Sequence, residues 1–148
     1  MSNRKITVQE KRERRNALLE MMFESEFRKD ESPEDIYLLS AEERELSQEV
    51  RNYVKAVYFD LVDKLEVIDG YINGAAAGWK TARISKLSLC ILRLATYEML
   101  YVEDVPAVIA INEAVELSKK YDDPKAKSFI NGVLNKIKDT VEADKKDQ

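Results

Sequence analysis

Apolar residues recur at steps of three and four along most of the chain, which is the spacing of one face of an α-helix. Between about Thr7 and Phe27, apolar side chains at Leu19, Phe23 and Phe27 lie four residues apart. A second, longer helix is predicted from Ser40 onward. Eight apolar positions support it: Leu46, Val50, Tyr53, Val54, Val57, Leu61, Leu65 and Ile68.

The second half of the chain predicts three further helices. Residues 84–101 are apolar nearly all round, so neighbouring elements must surround this helix. Pro106 ends it, because the residue before a proline disfavours helical backbone angles, and Pro124 ends the following helix in the same way. The charged residues from Lys138 onward are expected to fray. The helix after Pro106 is predicted to face inward with Val108, Ile111, Val115 and Ser118, helped by Ala114. The last helix is predicted to face inward with Ala126, Phe129, Ile130, Val133, Leu134 and Ile137.

Helix-start signals precede three of these segments. Thr7 is followed three residues later by a glutamate, and so is Ser40, which is the capping-box spacing. Ser40 is therefore expected to open the long helix. Ser32-Pro33 begins a short turn or helix, because proline suits the first helical position.

The glycines predict close packing. Gly70, Gly74 and Gly78 lie four apart, which indicates a helix end that another backbone approaches closely. Polar residues interrupt this stretch, so a membrane dimerisation motif is rejected. Gly132 costs about 1 kcal/mol of helix propensity, and close packing would explain it. Trp79 is expected to fill the core beside the glycines rather than to stack on a base.

Composition fits a soluble, helix-rich domain in the cytoplasm. The 148 residues are 45% hydrophobic and 35% charged, with only 4 Gly and 3 Pro, so little turn-rich β structure is expected. No apolar run reaches the roughly 18 to 20 residues that span a bilayer, and no secretory signal is expected. Cys90 is the single cysteine, so it has no internal disulfide partner.

The chain contains no histidine, which narrows its chemistry. A Ser-His-Asp or Cys-His catalytic device is excluded, and so is a Cys/His zinc site. No glycine-rich phosphate loop of the Walker or Rossmann kind is present. These observations favour a binding module over an enzyme, with no metal and no cofactor.

Basic residues are concentrated at the start of the chain. Six cationic side chains stand there against two glutamates, although the whole chain has a net charge of -4. An ordered basic helix would bind phosphate backbones, whereas a solvated, disordered segment is the alternative. The six cations are Arg4, Lys5, Lys11, Arg12, Arg14 and Arg15.

Charged residues elsewhere are predicted to have structural roles. Arg93 and Glu98 lie inside the apolar helix, and each is expected to reach a hydrogen-bonding partner or the surface. Glu113 and Glu116 are one turn apart and could form a carboxylate pair. Pairing with Lys119 or the next lysine is favoured over catalysis for these glutamates.

Three ordered motifs resemble the NusB family. Residues 91–99 (ILRLATYEM), preceded by Trp79, resemble its W…ILRLAxYEL pattern. Residues 110–117 (AINEAVEL) and 129–137 (FINGVLNKI) resemble two later segments of that family. The opening residues 11–19 (KRERRNALL) are similar to its arginine-rich first helix.

The resemblance implies an all-α fold. It implies a helical bundle of about seven helices, forming one RNA-binding domain over residues 1–148. Two three-helix subdomains are implied, over residues 1–78 with the arginine-rich helix and over residues 79–140. Residues 141–148 are expected to be a frayed tail.

The resemblance also implies a function. A protein of this family is a transcription antitermination factor that binds the boxA element of ribosomal RNA leaders. It pairs with NusE, a small-subunit ribosomal protein, and associates with elongating RNA polymerase. Both monomers and dimers occur in the family, so a homodimer stays open. Two alternatives remain: a protein-interaction scaffold with weak or no RNA binding, and a fragment of an RNA-modifying enzyme, which would need a further catalytic domain.

The resemblance adds four RNA-site candidates and one partner site. Phe23 and Phe129 match aromatic positions on which RNA bases could stack, although both also fit apolar stripes. Lys125 and Lys127 begin the last helix, in the region where the family contacts RNA. Ser88 stands where the family usually has an acidic residue associated with its partner and RNA surface, so we expect that contact to be altered.

Overall fold

The computed structural model describes residues 5–76, 84–121 and 124–147, and these ranges contain seven α-helices and no strand. The predicted all-α fold class is therefore confirmed. The expectations for Arg4, Gly78, Trp79 and Asp122-Asp123 concern residues outside these ranges. The helices are α1 (Val8–Phe27), α2 (Pro33–Glu43), α3 (Gln48–Asp63), α4 (Leu65–Ala75), α5 (Lys86–Tyr101), α6 (Ala107–Tyr121) and α7 (Ala126–Lys146).

Side-chain caps fix the starts of several helices. The Thr7 hydroxyl accepts a hydrogen bond from the Glu10 amide at 3.0 Å and donates one to the Glu10 carboxylate at 3.2 Å. The predicted cap of α1 is thus confirmed. Ser32 accepts from the amide three residues on at 3.1 Å, and Pro33 follows it at the first helical position. Ser85 caps α5 in the same way at 3.1 Å.

The predicted start of the long helix at Ser40 is wrong. Ser40 is fully buried inside α2, where the Arg44 guanidinium donates to its hydroxyl and to its carbonyl oxygen. Arg44 also donates to the Glu20 carboxylate at 2.6 Å, which ties the end of α2 to α1. Helix α3 begins instead after Ser47, whose hydroxyl accepts from the amide of Val50 at 3.3 Å.

The predicted long helix is also divided in two. Helix α3 ends at Asp63, and α4 begins at Leu65 after Lys64, whose backbone angles (φ -103°, ψ 11°) leave the helical region. The chain forms two compact units that meet at this point, Met1–Val62 and Asp63–Gln148. The boundary therefore lies between residues 62 and 63, rather than between 78 and 79. The second unit contains four helices, α4 to α7, because α4 packs against α5 and α7.

The core of the first unit joins α1, α2 and α3. The Ser25 and Tyr58 hydroxyls lie 2.6 Å apart, and burial raises the pKa of Tyr58. Phe27, predicted to face inward, is 63% exposed and packs edge-on against Phe23 at 5.0 Å between ring centroids. As the last residue of α1 it lies beyond the buried face. That face consists of Arg15, Ala17, Leu18, Leu19, Met21 and Met22.

The second unit is built round α5, which is buried on nearly all sides by α4, α6 and α7. Arg93 of α5 donates two hydrogen bonds of 2.8 Å to the carboxylate of Asp69 on α4. Arg93 therefore reaches a charged partner, as predicted. Glu98 is buried within the same helix.

Helix α6 buries Ile111, Ala114 and Ser118, as predicted. Val108 is 57% exposed, so the prediction that it faces the core is wrong. Glu116 forms an ion pair of 3.1 Å with Lys119, which confirms the structural role predicted for this glutamate. The buried residues of α6 are Ala110, Ile111, Ala114, Leu117 and Ser118.

The predicted frayed tail is helical. Helix α7 continues to Lys146, and Val141 is buried. The Tyr71 hydroxyl donates to the Asp144 carboxylate at 2.6 Å, and the Lys145 ammonium donates to the carbonyl oxygen of Met99 at 3.4 Å. The end of α7 is thus held against α4 and α5.

The expectation of close packing at the glycines is wrong for three of them. Gly70 and Gly74 on α4 and Gly132 on α7 are exposed, and a Cβ atom added to any of them would meet nothing within 4 Å. These glycines therefore lower helix stability without permitting a close backbone approach.

Gly70→Ala is expected to raise the free energy of unfolding by about 0.5–1 kcal/mol, because alanine is the better helix former and open space receives its methyl group. Urea denaturation monitored by circular dichroism measures the change. The reverse substitution at an exposed helical position, Ala56→Gly in α3, is the control and should lower stability by a similar amount. A loss of stability in Gly70→Ala would show that a neighbouring segment approaches this glycine.

The hydrogen bond from Tyr71 to Asp144 raises the pKa of Tyr71 to about 12. An unfolded tyrosine ionises at about pH 10, so the stabilisation from this bond is complete below about pH 10 and disappears as the pH rises through about 12. Tyr71→Phe is expected to lower the free energy of unfolding by about 1 kcal/mol near neutral pH. Urea denaturation at several pH values should show a smaller alkaline loss for Tyr71→Phe, and identical pH profiles would contradict the assignment.

Candidate nucleic-acid interface

The first half of α1 presents its cations to different environments. The stretch is helical from Val8 onward. Lys11 and Arg12 are exposed, Arg14 is half-buried, and only 8% of Arg15 is exposed. The five predicted cations that the structure describes are therefore not equivalent. The outward charge on α1 comes mainly from Lys11 and Arg12, after the exposed Lys5.

The partners of these cations differ as well. Within the described part of the chain, the side chains of Lys11 and Arg14 make no hydrogen bond or ion pair. The guanidinium carbon of Arg14 lies 3.9 Å from the centre of the Tyr53 ring, and the Arg14 Nε atom is buried without an acceptor. Glu10 is directed toward the Thr7 hydroxyl by the helix cap. Lys11 and Arg14 thus lie near the positive end of the helix dipole.

A second group of candidates lies at the start of α7. Lys125 and Lys127 are exposed, and Phe129 is half-buried. The missing side chain of Gly132 leaves a groove of about 230 Å³ beside the Phe129 ring. The described residues that line this groove are Ala75, Ala76, Ser128, Phe129, Gly132, Val133 and Lys136.

Of the two remaining candidates, one is half-buried and the other is buried. Phe23 is half-buried and packs against Phe27. Ser88, expected at a partner surface, is only 4% exposed, and its amide donates to the Ser85 hydroxyl that caps α5. The structure thus groups Lys11, Arg12 and Arg14 on one helix, and the three α7 candidates on another.

Two residues of these surfaces were not predicted as site residues. Tyr53 was assigned to the apolar stripe of α3, but it is half-buried beneath Arg14. No sequence signal links positions so far apart. Gly132 was interpreted as a packing residue, although its place one turn after Phe129 agrees with an open groove.

Other kinds of site are not found in the described residues. No group of three or more His, Cys, Asp or Glu side chains in residues 5–76, 84–121 and 124–147 is arranged to hold a metal ion. Across the same ranges, every helix is too short or too polar to cross a membrane. An all-α fold whose leading helix displays cations has the features expected of a helical binding protein.

Comparison with known proteins identifies the family. The sequence model of the NusB family matches residues 12–139. The transcription antitermination protein NusB of Ruminiclostridium cellulolyticum is 37% identical over 127 residues, which cover 86% of this chain and 87% of that protein. The protein of the same name from Enterococcus faecalis is 36% identical, with 97% of each chain covered.

Solved structures agree with these relatives. T. maritima NusB is 29% identical to this chain with a TM-score of 0.79, covering 86% of this chain and 89% of that one. A chain from a crystal structure of the antitermination factors NusB and NusE with double-stranded RNA has a TM-score of 0.81, covering 90% of this chain and 99% of that one. Its 24% identity supports the fold alone. The chain belongs to the NusB family of transcription antitermination factors and is not an enzyme.

The different burial of the α1 cations can be tested by mutation. Arg15→Ala is expected to lower the free energy of unfolding by about 1–3 kcal/mol, because a buried, packed side chain is removed. Lys11→Ala is the matched control on the exposed face and should change stability by less than about 0.5 kcal/mol. Equal effects in urea denaturation would contradict the assignment of Arg15 to the core.

Proposed function

We propose that this chain binds boxA-like single-stranded RNA of ribosomal RNA leaders together with NusE, and that the complex associates with elongating RNA polymerase in the cytoplasm. The observation that carries the proposal is the cationic start of α1, which displays Lys11 and Arg12 on a helix whose second half is buried in the first unit. Membership of the NusB family supports the same role.

Phosphate binding is the proposed task of α1. Exposed cations neutralise phosphates and release counterions, which gives affinity without reading sequence. Lys5, Lys11, Arg12 and Arg14 are the proposed phosphate contacts, and Arg4 extends the group. Arg15 enters the proposal as a support for the helix rather than as a direct contact, because its side chain is buried.

Base recognition is the proposed task of α7. The half-buried ring of Phe129 borders the groove that Gly132 leaves open, and Lys136 lines its edge. A single-stranded base can stack on such an aromatic face, while Lys125 and Lys127 attract the adjoining phosphates. Phe23 is the corresponding aromatic candidate on α1. Its ring packs edge-on against Phe27, and the residue is half-buried.

NusE is the proposed protein partner. A solved structure with this fold contains both NusE and RNA. Ser88 is proposed to influence the partner surface indirectly, because it is buried in the first turn of α5 and its amide is bound by the Ser85 cap. A homodimer would be an alternative use of the same surfaces.

A titration of RNA binding tests the proposal. Fluorescence anisotropy with labelled boxA-like and scrambled single-stranded RNA, with and without NusE, should show tighter binding to the boxA-like RNA. The slope of log affinity against log salt should become shallower by about 0.7 in Lys11→Gln, because one phosphate contact on a single strand is lost. Lys29→Gln, an exposed lysine of the same unit, is the matched control and should leave the slope unchanged.

Equal affinity for the two RNAs, or no binding at all, would favour the interaction scaffold instead. Analytical ultracentrifugation of the same samples distinguishes a monomer from a homodimer that blocks the RNA surface.

A further inference from the structure

A groove of about 240 Å³ lies at one end of the second unit, where the connection between α5 and α6 meets the last turns of α7. Met99 and Val141, which are both buried, give the groove an apolar base. Residues 105–107, at the start of α6, add further apolar surface. Pockets for drug-sized molecules usually occupy about 300–1,000 Å³. The smaller volume of this groove suits one or two inserted side chains.

Two large apolar side chains follow the groove directly along the chain. Val108 is 57% exposed and Ile109 is 45% exposed, and the residue before them, Ala107, lines the groove. They are the only two consecutive residues among the exposed large apolar side chains of the described ranges. Single exposed apolar residues are normal on a protein surface, whereas adjoining ones mark a contact surface. An apolar protrusion and an apolar groove therefore lie next to each other.

The charges at the groove do not select a partner of either sign. Among its described lining residues are two lysines, Lys138 and Lys145, and two glutamates, Glu103 and Glu142. Lys138 and Glu142 are four residues apart and so share one face of α7. In the described structure neither of these two side chains makes a hydrogen bond or an ion pair. A surface that carries both signs equally is complementary to a copy of itself.

We infer that a second copy of this chain docks at the groove across a twofold axis, so that Val108 and Ile109 of each copy enter the groove of the other. In such an interface, if residue i of one copy contacts residue j of the other, then j also contacts i. The same rotation aligns the two α7 helices in opposite directions, which brings Lys138 of each copy to Glu142 of the other. The protrusion, the groove and the charge pair then each find their complement.

This contact does not depend on RNA binding. The groove lies toward the end of α7, whereas Lys125, Lys127 and Phe129 lie at its start. A rise of 1.5 Å per residue separates Phe129 from Val141 by about 18 Å along the helix. The proposed dimer therefore leaves the RNA candidates on α7 uncovered, in contrast to a dimer that blocks them.

Sedimentation equilibrium of the full chain over a concentration series measures the dimer. Ile109→Asp should weaken dimerisation at least about tenfold, because a carboxylate would have to enter an apolar groove. Val67→Asp is the matched control, since Val67 is a 51% exposed apolar residue of the same unit on α4. This control should dimerise as the parent does.

Exchange of the two charges tests the twofold arrangement. Lys138→Glu and Glu142→Lys should each weaken dimerisation about tenfold, because each places like charges together at two positions. The double variant Lys138→Glu with Glu142→Lys should recover the dimer of the parent. An equimolar mixture of the two single variants should also dimerise, because both cross-pairs then join opposite charges.

Three results would overturn the inference. The first is a parent protein that remains monomeric up to about 1 mM. The second is a dimer that persists unchanged in Ile109→Asp and in both single charge variants, since it would use another surface. The third is a double charge variant that dimerises no better than the single ones. Circular dichroism checks folding, and the charge variants decide the result if Ile109→Asp is unfolded.

Discussion

The burial of α5 is the constraint on which the second unit depends. Eleven of its sixteen residues are buried, so no single neighbour could cover it and three helices must surround it. The ion pair between Arg93 and Asp69 holds α4 against this helix on its least apolar side. Helix α4 begins only two residues after α3 ends, yet it packs against α5. The chain therefore divides into its two units after residue 62.

Elements defined by local chemistry could be predicted from the sequence. The cap at Thr7 and the apolar helix α5 depend on residues within a few positions of one another. The break at Lys64 could not be predicted in the same way, since apolar residues continue at helical spacing on both sides of it. Ser40 has a glutamate three residues later, as a helix cap often does, but it is buried inside α2 and accepts hydrogen bonds from Arg44. Such contacts depend on tertiary packing, which overrides a local signal.

The residue types of the candidate interface could be predicted from the sequence, but the burial and the neighbours of each residue could be predicted only in part. The basic character of α1 is visible in the residues themselves, and the burial of Arg15 also had a signal. Arg15 precedes Leu18 and Leu19 by three and four positions, which places it on their buried stripe. The ring beneath Arg14 comes from another helix, so only the folded chain shows it. The tertiary packing of the helices therefore decides that Arg15 is buried and that Arg14 lies against an aromatic ring.

The two exposed glycines in α4 give this short helix little helix propensity of its own. Isolated helices of this length are marginal in water even with better helix formers. The opposite face of α4 carries Ile68 and Ile72, which are fully buried. Helix α4 therefore depends for its helical form on docking against its neighbours in the second unit.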